Sequence, residues 1–135
     1  MSLPLLVREV MTPSVISVEP SSSVRDAAQV MVERGVGSVV VMEAGRPVGI
    51  LTERDILKRV VVRGLDPVKT RVGEVMSSPL VTVSADAYII DASRLMAQRD
   101  IRRLLVVEGD KPVGVVTEKD LLRGLNKYLT LGLRV

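Results

Sequence analysis

Two short runs of the sequence place a hydroxyl, a cation and a carboxylate close together. The run Thr52–Asp55 (TERD) follows an apolar stretch that contains a glycine, and Thr117–Asp120 (TEKD) repeats the arrangement. A threonine followed three residues later by an acid is typical of a capping box, in which both side chains bond free N–H groups at a helix start. The same carboxylate could instead accept two hydrogen bonds from a vicinal diol, as the acid of dinucleotide sites does for ribose.

Further features favour a ligand role for these two runs, while the capping role stays open. Each run begins a predicted helix at the end of a predicted strand, where free N–H groups and the helix dipole attract anions. Arg54 and Lys119 place a cation directly before each acid. The similar run Ser23–Asp26 begins the first predicted helix, and we interpret it as a cap alone. The sequence therefore predicts a cradle for a ribose phosphate, present twice.

The composition removes the usual catalytic and metal-binding groups. The chain has neither histidine nor cysteine, so the commonest general base, the thiol nucleophile and the imidazole or thiolate metal ligands are absent. Two tyrosines are the only aromatic residues, and the net charge is +3. Binding of single-stranded nucleic acid normally uses aromatic stacking beside a basic groove. We therefore expect a binding module rather than an enzyme, with no metal and with a small anion rather than nucleic acid as its ligand.

The ends and apolar runs of the sequence predict a cytoplasmic location. The first six residues are too short, and too soon followed by Arg8 and Glu9, to read as a signal peptide. No apolar run approaches the length of a membrane span. We expect no membrane partner.

The chain is an internal duplication. Shifting it by 65 residues aligns 7–60 with 72–125 without a gap, and 18 of the 54 pairs are identical. Repeats of this quality indicate repeated structural units. We predict repeat 1 over 5–62, a linker over 63–71, repeat 2 over 72–126 and a C-terminal tail over 127–135.

Each repeat has the pattern β-α-β-β-α, which predicts an α+β fold with the two repeats packed as a pseudo-twofold pair. Apolar residues recur at helical spacing from Val24 to Val32, and runs such as Val39–Met42 are typical of buried strands. The second helix is expected to bury Ile56, Leu57 and Val60. The predicted first strands are 15–18 and 80–83.

The repeats resemble CBS domains, and the tandem pair resembles a Bateman module. The resemblance covers about residues 5–126. Its carriers are the Val-x-Glu-Val-Met runs at 7–11 and 72–76, together with the Gly-x-x-Thr-x-x-Asp signatures at Gly49–Asp55 and Gly114–Asp120. The resemblance implies a stand-alone regulatory protein that binds an adenosine-containing ligand in clefts between the repeats, with AMP as the first candidate and ATP, ADP or S-adenosylmethionine as others.

The resemblance also implies roles for individual residues. Ribose would bind Thr52, Asp55, Thr117 and Asp120, and phosphate would bind Arg54, Arg102, Arg103 and Lys119. The adenine pockets would be formed by Val15, Ile16, Val36, Ser38, Ile50, Leu80, Val81, Ile101 and Val115. Ordinary core packing is the alternative role for these aliphatic residues.

Two adjacent positions give the repeats different charge. Arg102 and Arg103 align with Gly37 and Ser38. In related modules, basic residues here reach the phosphate of the nucleotide held by the partner repeat. A solvated arginine pair is the alternative.

The functions that stay open are a nucleotide sensor and a protein-interaction or scaffold subunit that regulates a partner enzyme or transporter. The resemblance implies a homodimer in either case. Neither the identity of the adenosine ligand nor the downstream partner follows from the sequence.

Overall fold

The computed structural model describes residues 5–78 and 80–133, and its elements occur in two similar sets. The helices are α1 (Val7–Val10), α2 (Val24–Arg34), α3 (Glu53–Ile56), α4 (Val72–Val75), α5 (Ile89–Arg99) and α6 (Glu118–Leu133). The strands are β1 (Ser17–Val18), β2 (Ser38–Glu43), β3 (Arg46–Thr52), β4 (Thr82–Ser84), β5 (Arg103–Glu108) and β6 (Lys111–Thr117). Helix α3 continues as a π-helical segment, Leu57–Val61. These elements form the α+β fold that the repeat predicts.

The two sheets have the same topology. In the first, β1 is parallel to β2 and β2 is antiparallel to β3. In the second, β4, β5 and β6 are related in the same way. The β2–β3 hairpin turns through Ala44 and Gly45 at φ 52° and 77°, the left-handed conformation that suits a two-residue turn. Within the described residues, no helix combines the length and the apolar character needed to cross a membrane.

The chain divides into two compact units, each with its own aliphatic core. Ile16–Leu80 form one, here called the continuous unit, whereas Met1–Val15 and Val81–Val135 form the other, the discontinuous unit. The core of the continuous unit contains Val24, Ala27, Met31, Val39, Val41, Leu51, Val60, Val72 and Val75. The core of the discontinuous unit contains Val7, Val83, Ala85, Ala92, Met96, Leu104, Val106, Val116 and Leu121.

Each short helix that opens a sequence repeat packs on the elements of the other repeat. In the discontinuous unit, the N–H of Val7 in α1 donates to the Ala87 carbonyl at 2.8 Å, just before α5. In the continuous unit, the N–H of Val72 in α4 donates to the Ser22 carbonyl at 2.8 Å, just before α2. Each compact unit is therefore assembled from segments of both sequence repeats. The β-α-β-β-α pattern did not include these two short helices.

An ion-pair cluster reinforces the attachment of α1. The Arg8 guanidinium lies 2.6 Å from an Asp86 carboxylate oxygen and 2.7 Å from a Glu108 oxygen. The hydrogen bonds that Arg8 donates, first to Asp86 and then to Glu108, raise the pKa of Arg8 above its usual value. The equivalent residue in α4 is Gly73, where an added Cβ would lie 3.2 Å from Pro20. The two short helices are thus held by different chemistry, although their sequences are related.

Some predicted core residues are exposed. Val32 is 82% exposed, Leu57 58% and its counterpart Leu122 56%, whereas the stripe residues Val24 and Met31 are buried as predicted. The prediction was too wide for these positions because each helix buries only the narrow face that meets its own sheet.

Two predicted strand boundaries also change. The first strands are shorter than predicted, since β1 contains only Ser17 and Val18 and β4 begins at Thr82. The predicted tail continues helix α6 as far as Leu133, and residues 134 and 135 lie outside the described part of the chain.

Candidate functional site

The strand order places the start of β2 beside the end of β3. Because these strands are antiparallel, Ser38 is the register partner of Thr52. The Val40 N–H donates to the Ile16 carbonyl at 2.9 Å, which brings the segment before β1 to the same region of the sheet. Arg103 is likewise the partner of Thr117 in the second sheet. The two Thr-x-x-Asp runs, Thr52–Asp55 and Thr117–Asp120, are here called the TxxD runs. The first begins its helix beside residues that the resemblance assigned to an adenine pocket, and the second begins beside Arg103, which it assigned to phosphate binding.

Both TxxD runs form complete capping boxes. The Asp55 carboxylate accepts from the Thr52 N–H at 3.0 Å, and the Thr52 hydroxyl accepts from the Asp55 N–H at 3.1 Å. The corresponding distances for Thr117 and Asp120 are 2.9 and 3.2 Å. The structural role considered from the sequence is therefore present in both repeats. It engages one oxygen of each carboxylate through a single donor, and a carboxylate oxygen can accept more than one hydrogen bond.

The second oxygen of Asp55 is bonded within the continuous unit. The Ser77 hydroxyl donates to Asp55 Oδ1 at 2.9 Å, and a guanidinium nitrogen of Arg59 lies 3.8 Å from the same oxygen. Arg59 is itself held because it donates to the carbonyls of Val75 and Met76, each at 2.9 Å. Asp55 is only 8% exposed. Its carboxylate is therefore fixed in position by a neutral donor and a braced cation.

The second oxygen of Asp120 has a different partner. Arg123, one turn further along α6, donates to Asp120 Oδ1. The Asp120 side chain is 4% exposed, but that of Arg123 is 71% exposed. Thr12 occupies the position in the discontinuous unit that Ser77 occupies in the continuous one, since Thr12 pairs with Val115 as Ser77 pairs with Ile50.

The signature glycines are explained by a close approach of the backbone. An added Cβ at Gly49 would lie 2.7 Å from the Met76 sulfur and 2.8 Å from the Ser77 carbonyl oxygen. At Gly114 it would lie 2.5 Å from the Thr12 carbonyl oxygen and 2.8 Å from the Met11 sulfur. The glycine of each signature therefore lets the segment after α1 or α4 pair with β6 or β3. No phosphate contact is needed to account for it.

The nine predicted adenine-pocket residues are all half-buried. Of the residues predicted for the pocket at Asp55, the continuous unit contains four together with Asp55, namely Ile16, Val36, Ser38 and Ile50. The discontinuous unit contains Val81, Ile101 and Val115 together with Asp120. Val15 does not share a unit with Asp55, and Leu80 does not share one with Asp120. Ile16, Val36, Val81 and Ile101 also pack against the cores, so these four residues take part in ordinary core packing.

The predicted phosphate-binding cations lie near the helix starts of their own units. Arg54 and Lys119 are exposed on the first turns of α3 and α6. Arg102 is exposed, and its carbonyl accepts from the Glu118 N–H at 3.0 Å. Arg103 is half-buried at the start of β5. The expected reach of Arg102 and Arg103 to a ligand on the other repeat stays a prediction.

Sequence reasoning missed three residues that hold the two acids: Ser77, Arg59 and Arg123. Arg59 and Arg123 follow their acids by four and three residues, a spacing that places side chains on neighbouring positions of a helix. That spacing is a signal that could have identified them. Ser77 lies 22 residues from Asp55 and has no such local signal.

The discontinuous unit also contains a cavity of ≈ 570 Å³ between α5 and α6. Its lining is mainly aliphatic and includes Ile89, Ile90, Met96, Leu121, Leu122 and Leu125. Of the predicted site residues, Ile101 and Arg102 contribute to this lining.

The fold and the two capping boxes agree with a family match. The CBS domain model matches residues 7–62 and 72–127. The chain therefore belongs to the CBS domain family, and it is a regulatory module built from a pair of these domains.

Individual relatives extend this result. The CBS domain-containing protein YhcV of Bacillus subtilis is 42% identical over 115 residues, covering 85% of this chain and 81% of the relative. The chain spans between 31% and 61% of four further curated relatives, which are longer proteins.

Two solved structures are also similar. A protein with CBS domains from Burkholderia ambifaria has a TM-score of 0.83 at 27% identity, covering 88% of this chain and 90% of that one. The hexameric CBS-CP12 protein of bloom-forming cyanobacteria has a TM-score of 0.84 at 34% identity, covering 90% of this chain and 72% of that one.

Proposed function

We propose that this CBS-domain pair is a sensor of adenosine nucleotides, with AMP as the preferred ligand and ADP or ATP as alternatives. The observation that carries the proposal is the presence of two buried carboxylates, Asp55 and Asp120, each at a helix start beside half-buried aliphatic residues. Structural ion pairs or caps alone do not require aliphatic surface of this kind next to the acid. The proposed function has no catalytic step and would place the module in the cytoplasm, where free nucleotides occur.

The chemistry of the proposed site follows from acceptor capacity. Each carboxylate uses one oxygen for the capping box and can still accept hydrogen bonds from the two hydroxyls of a ribose. The adenine ring would pack between aliphatic side chains, because the chain has only two aromatic residues. Arg54 and Lys119 would then lie on the first helical turns, where a phosphate also meets the helix dipole.

Identification of the bound molecule is the direct test. Small molecules released from the purified protein are analysed by mass spectrometry, and AMP, ADP, ATP and S-adenosylmethionine are then titrated by calorimetry. Asp55→Ala and Asp120→Ala should each lower the affinity for whichever nucleotide binds the wild-type chain. Asp26→Ala is the matched control, because Asp26 also follows a cap residue by three positions but its side chain is 70% exposed. The proposal is wrong if no adenosine-containing ligand binds, or if the Asp26 variant loses as much affinity as the other two. If S-adenosylmethionine binds most tightly, the module is a sensor of that ligand and not of a nucleotide.

A second candidate function is assembly with other proteins, beginning with a second copy of this chain. Large apolar side chains are exposed on α6 of the discontinuous unit, including Leu122 at 56% and Leu125 at 43%. Both also line the cavity between α5 and α6. The hexameric state named for the cyanobacterial CBS-CP12 protein supports self-association, although not a particular stoichiometry. We propose a homodimer.

Sedimentation tests this second candidate. A dimer should sediment at twice the 14.7 kDa chain mass, and Leu122→Glu should shift it to the monomer. A wild-type monomer, with or without AMP, would contradict the homodimer. The exposed Val32→Glu in the other unit is the control for a general effect of added charge.

A further inference from the structure

The two buried acids are equivalent in the two repeats, but their partners differ in charge. Asp55 Oδ1 accepts from the neutral Ser77 hydroxyl, with Arg59 braced nearby. Asp120 Oδ1 accepts from the Arg123 guanidinium. By the 65-residue shift, Arg123 aligns with Lys58. Among the described residues it is Ser77 and Arg59, not Lys58, that hold the Asp55 carboxylate.

Arg123 can leave Asp120 at little cost in burial. Its side chain is 71% exposed, so the guanidinium loses little packing when it leaves, whereas the Asp120 side chain is 4% exposed and needs other hydrogen-bond donors in its place. Arg59 differs because it is also bonded to two backbone carbonyls. A ligand can therefore displace Arg123 from Asp120, whereas Arg59 is held beside Asp55 by its bonds to the backbone.

Ligand binding at Asp120 would change the surroundings of this guanidinium. A ribose that donates its hydroxyls to Asp120 competes for the oxygen that Arg123 occupies. A guanidinium displaced in this way is solvated by water unless the ligand itself supplies an anion, and a phosphate matches its planar donor geometry. Lys119 and Lys127 lie four residues before and after Arg123, so they share its side of α6 and add positive charge there.

We propose that Arg123 is the specificity-determining residue of the Asp120 site. It pairs with Asp120 when the site is empty and bonds the phosphate of the ligand when the ribose takes its place. Ligands with a phosphate are therefore preferred over adenosine, and a ligand with a sulfonium cation is disfavoured. This inference rests on the proposed nucleotide function and extends it to the choice among adenosine ligands.

The test compares AMP with adenosine by calorimetry in the 135-residue chain. Asp55→Asn serves as the background, so that Asp120 is the remaining intact acid. Arg123→Gln removes the charge with a side chain that still bonds, and Arg123→Lys keeps the charge. Lys58→Gln is the matched control, because it removes the same charge at the equivalent position of the other repeat.

We expect Arg123→Gln to weaken AMP by about 10–100-fold, the value of one charge-assisted hydrogen bond, and to leave adenosine binding unchanged or tighter. Arg123→Lys should keep most of the preference for AMP, and Lys58→Gln should keep all of it. Equal losses for AMP and adenosine would mean that Arg123 only positions Asp120, and unchanged affinities would mean a surface ion pair. Either result overturns the inference but leaves the proposed function intact.

A second measurement does not depend on the Asp55→Asn background. In the otherwise wild-type chain, the arginine Nε–H signal that disappears in Arg123→Lys should shift with both ligands, but to different positions, because the guanidinium bonds phosphate with AMP and water with adenosine. An identical shift with both ligands would contradict the exchange. If the wild-type chain binds neither ligand, the proposed function itself fails, and this inference fails with it.

Discussion

Replacing Asp55 tests the structural and ligand roles of one carboxylate. Alanine removes the acceptor of the Thr52 N–H and of the Ser77 hydroxyl, which lie 3.0 and 2.9 Å from the carboxylate. Loss of a cap costs about 0.5–2 kcal/mol, and leaving a buried polar group unpaired costs about 1–3 kcal/mol. Ser77 is half-buried and can turn towards water. We therefore expect Asp55→Ala to lower the free energy of unfolding by about 1–3 kcal/mol, even without ligand.

Asparagine separates the two roles. Asp55→Asn keeps an oxygen that can accept from the Thr52 N–H, and its size is almost unchanged, so we expect a loss of stability of about 1 kcal/mol or less. The amide replaces one acceptor by a donor and removes the charge. Each lost charge-assisted hydrogen bond to ribose should then weaken AMP by about 10–100-fold. If Asp55 is only a cap, its replacement lowers stability and leaves the affinity for AMP intact. If Asp55 also binds ribose, alanine lowers both stability and affinity for AMP, and asparagine lowers mainly the affinity.

The assay combines denaturant unfolding without ligand and calorimetric titration of AMP. Each is made in the wild-type chain and in an Asp120→Asn background that removes the other acid. Asp26→Asn is the control at an exposed helix start. Wild-type affinity for AMP in Asp55→Asn, in both backgrounds, would refute the ligand role of this carboxylate and leave Asp55 as a structural cap.

Three further predictions concern other parts of the chain. Arg102→Ala or Arg103→Ala should weaken the binding of AMP by about 10–100-fold because a charged partner of the phosphate is lost, and should affect adenosine less. If calorimetry gives both variants the wild-type affinity for AMP, the two arginines are solvated surface residues. Gly114→Ala should lower the melting temperature, with a cost of about 1–3 kcal/mol, because its Cβ would lie 2.5 Å from a backbone oxygen; an unchanged melting curve would contradict that close approach. The fragment 16–80 should give a more cooperative thermal transition by circular dichroism than the fragment 5–62, because only the fragment 16–80 contains all segments of one compact unit. A more cooperative transition for the fragment 5–62 would show that the exchange of short helices is unimportant for folding.

Much of the fold could be predicted from patterns that are local in the sequence. The helical stripe from Val24 to Met31 and the continuous apolar strand runs follow from the periodicity of side-chain positions. The capping boxes at Thr52 and Thr117 could be predicted because a helix start brings a residue and its third successor together whatever surrounds them. The exposure of Val32 and Leu57 could not, because periodicity identifies an apolar face but not how much of it the adjoining sheet covers.

The sequence alone determined the duplication, the α+β pattern and the placement of an acid at the start of each second helix. These features depend on spacings of a few residues, which the helix and strand geometry converts directly into position. Only the tertiary structure decided that α1 and α4 are exchanged between the repeats. It also decided that Ser77 holds Asp55 while Arg123 holds Asp120. The partner of Asp55 lies 22 residues away, and a contact at that separation forms only where the packing of the whole unit brings the two segments together.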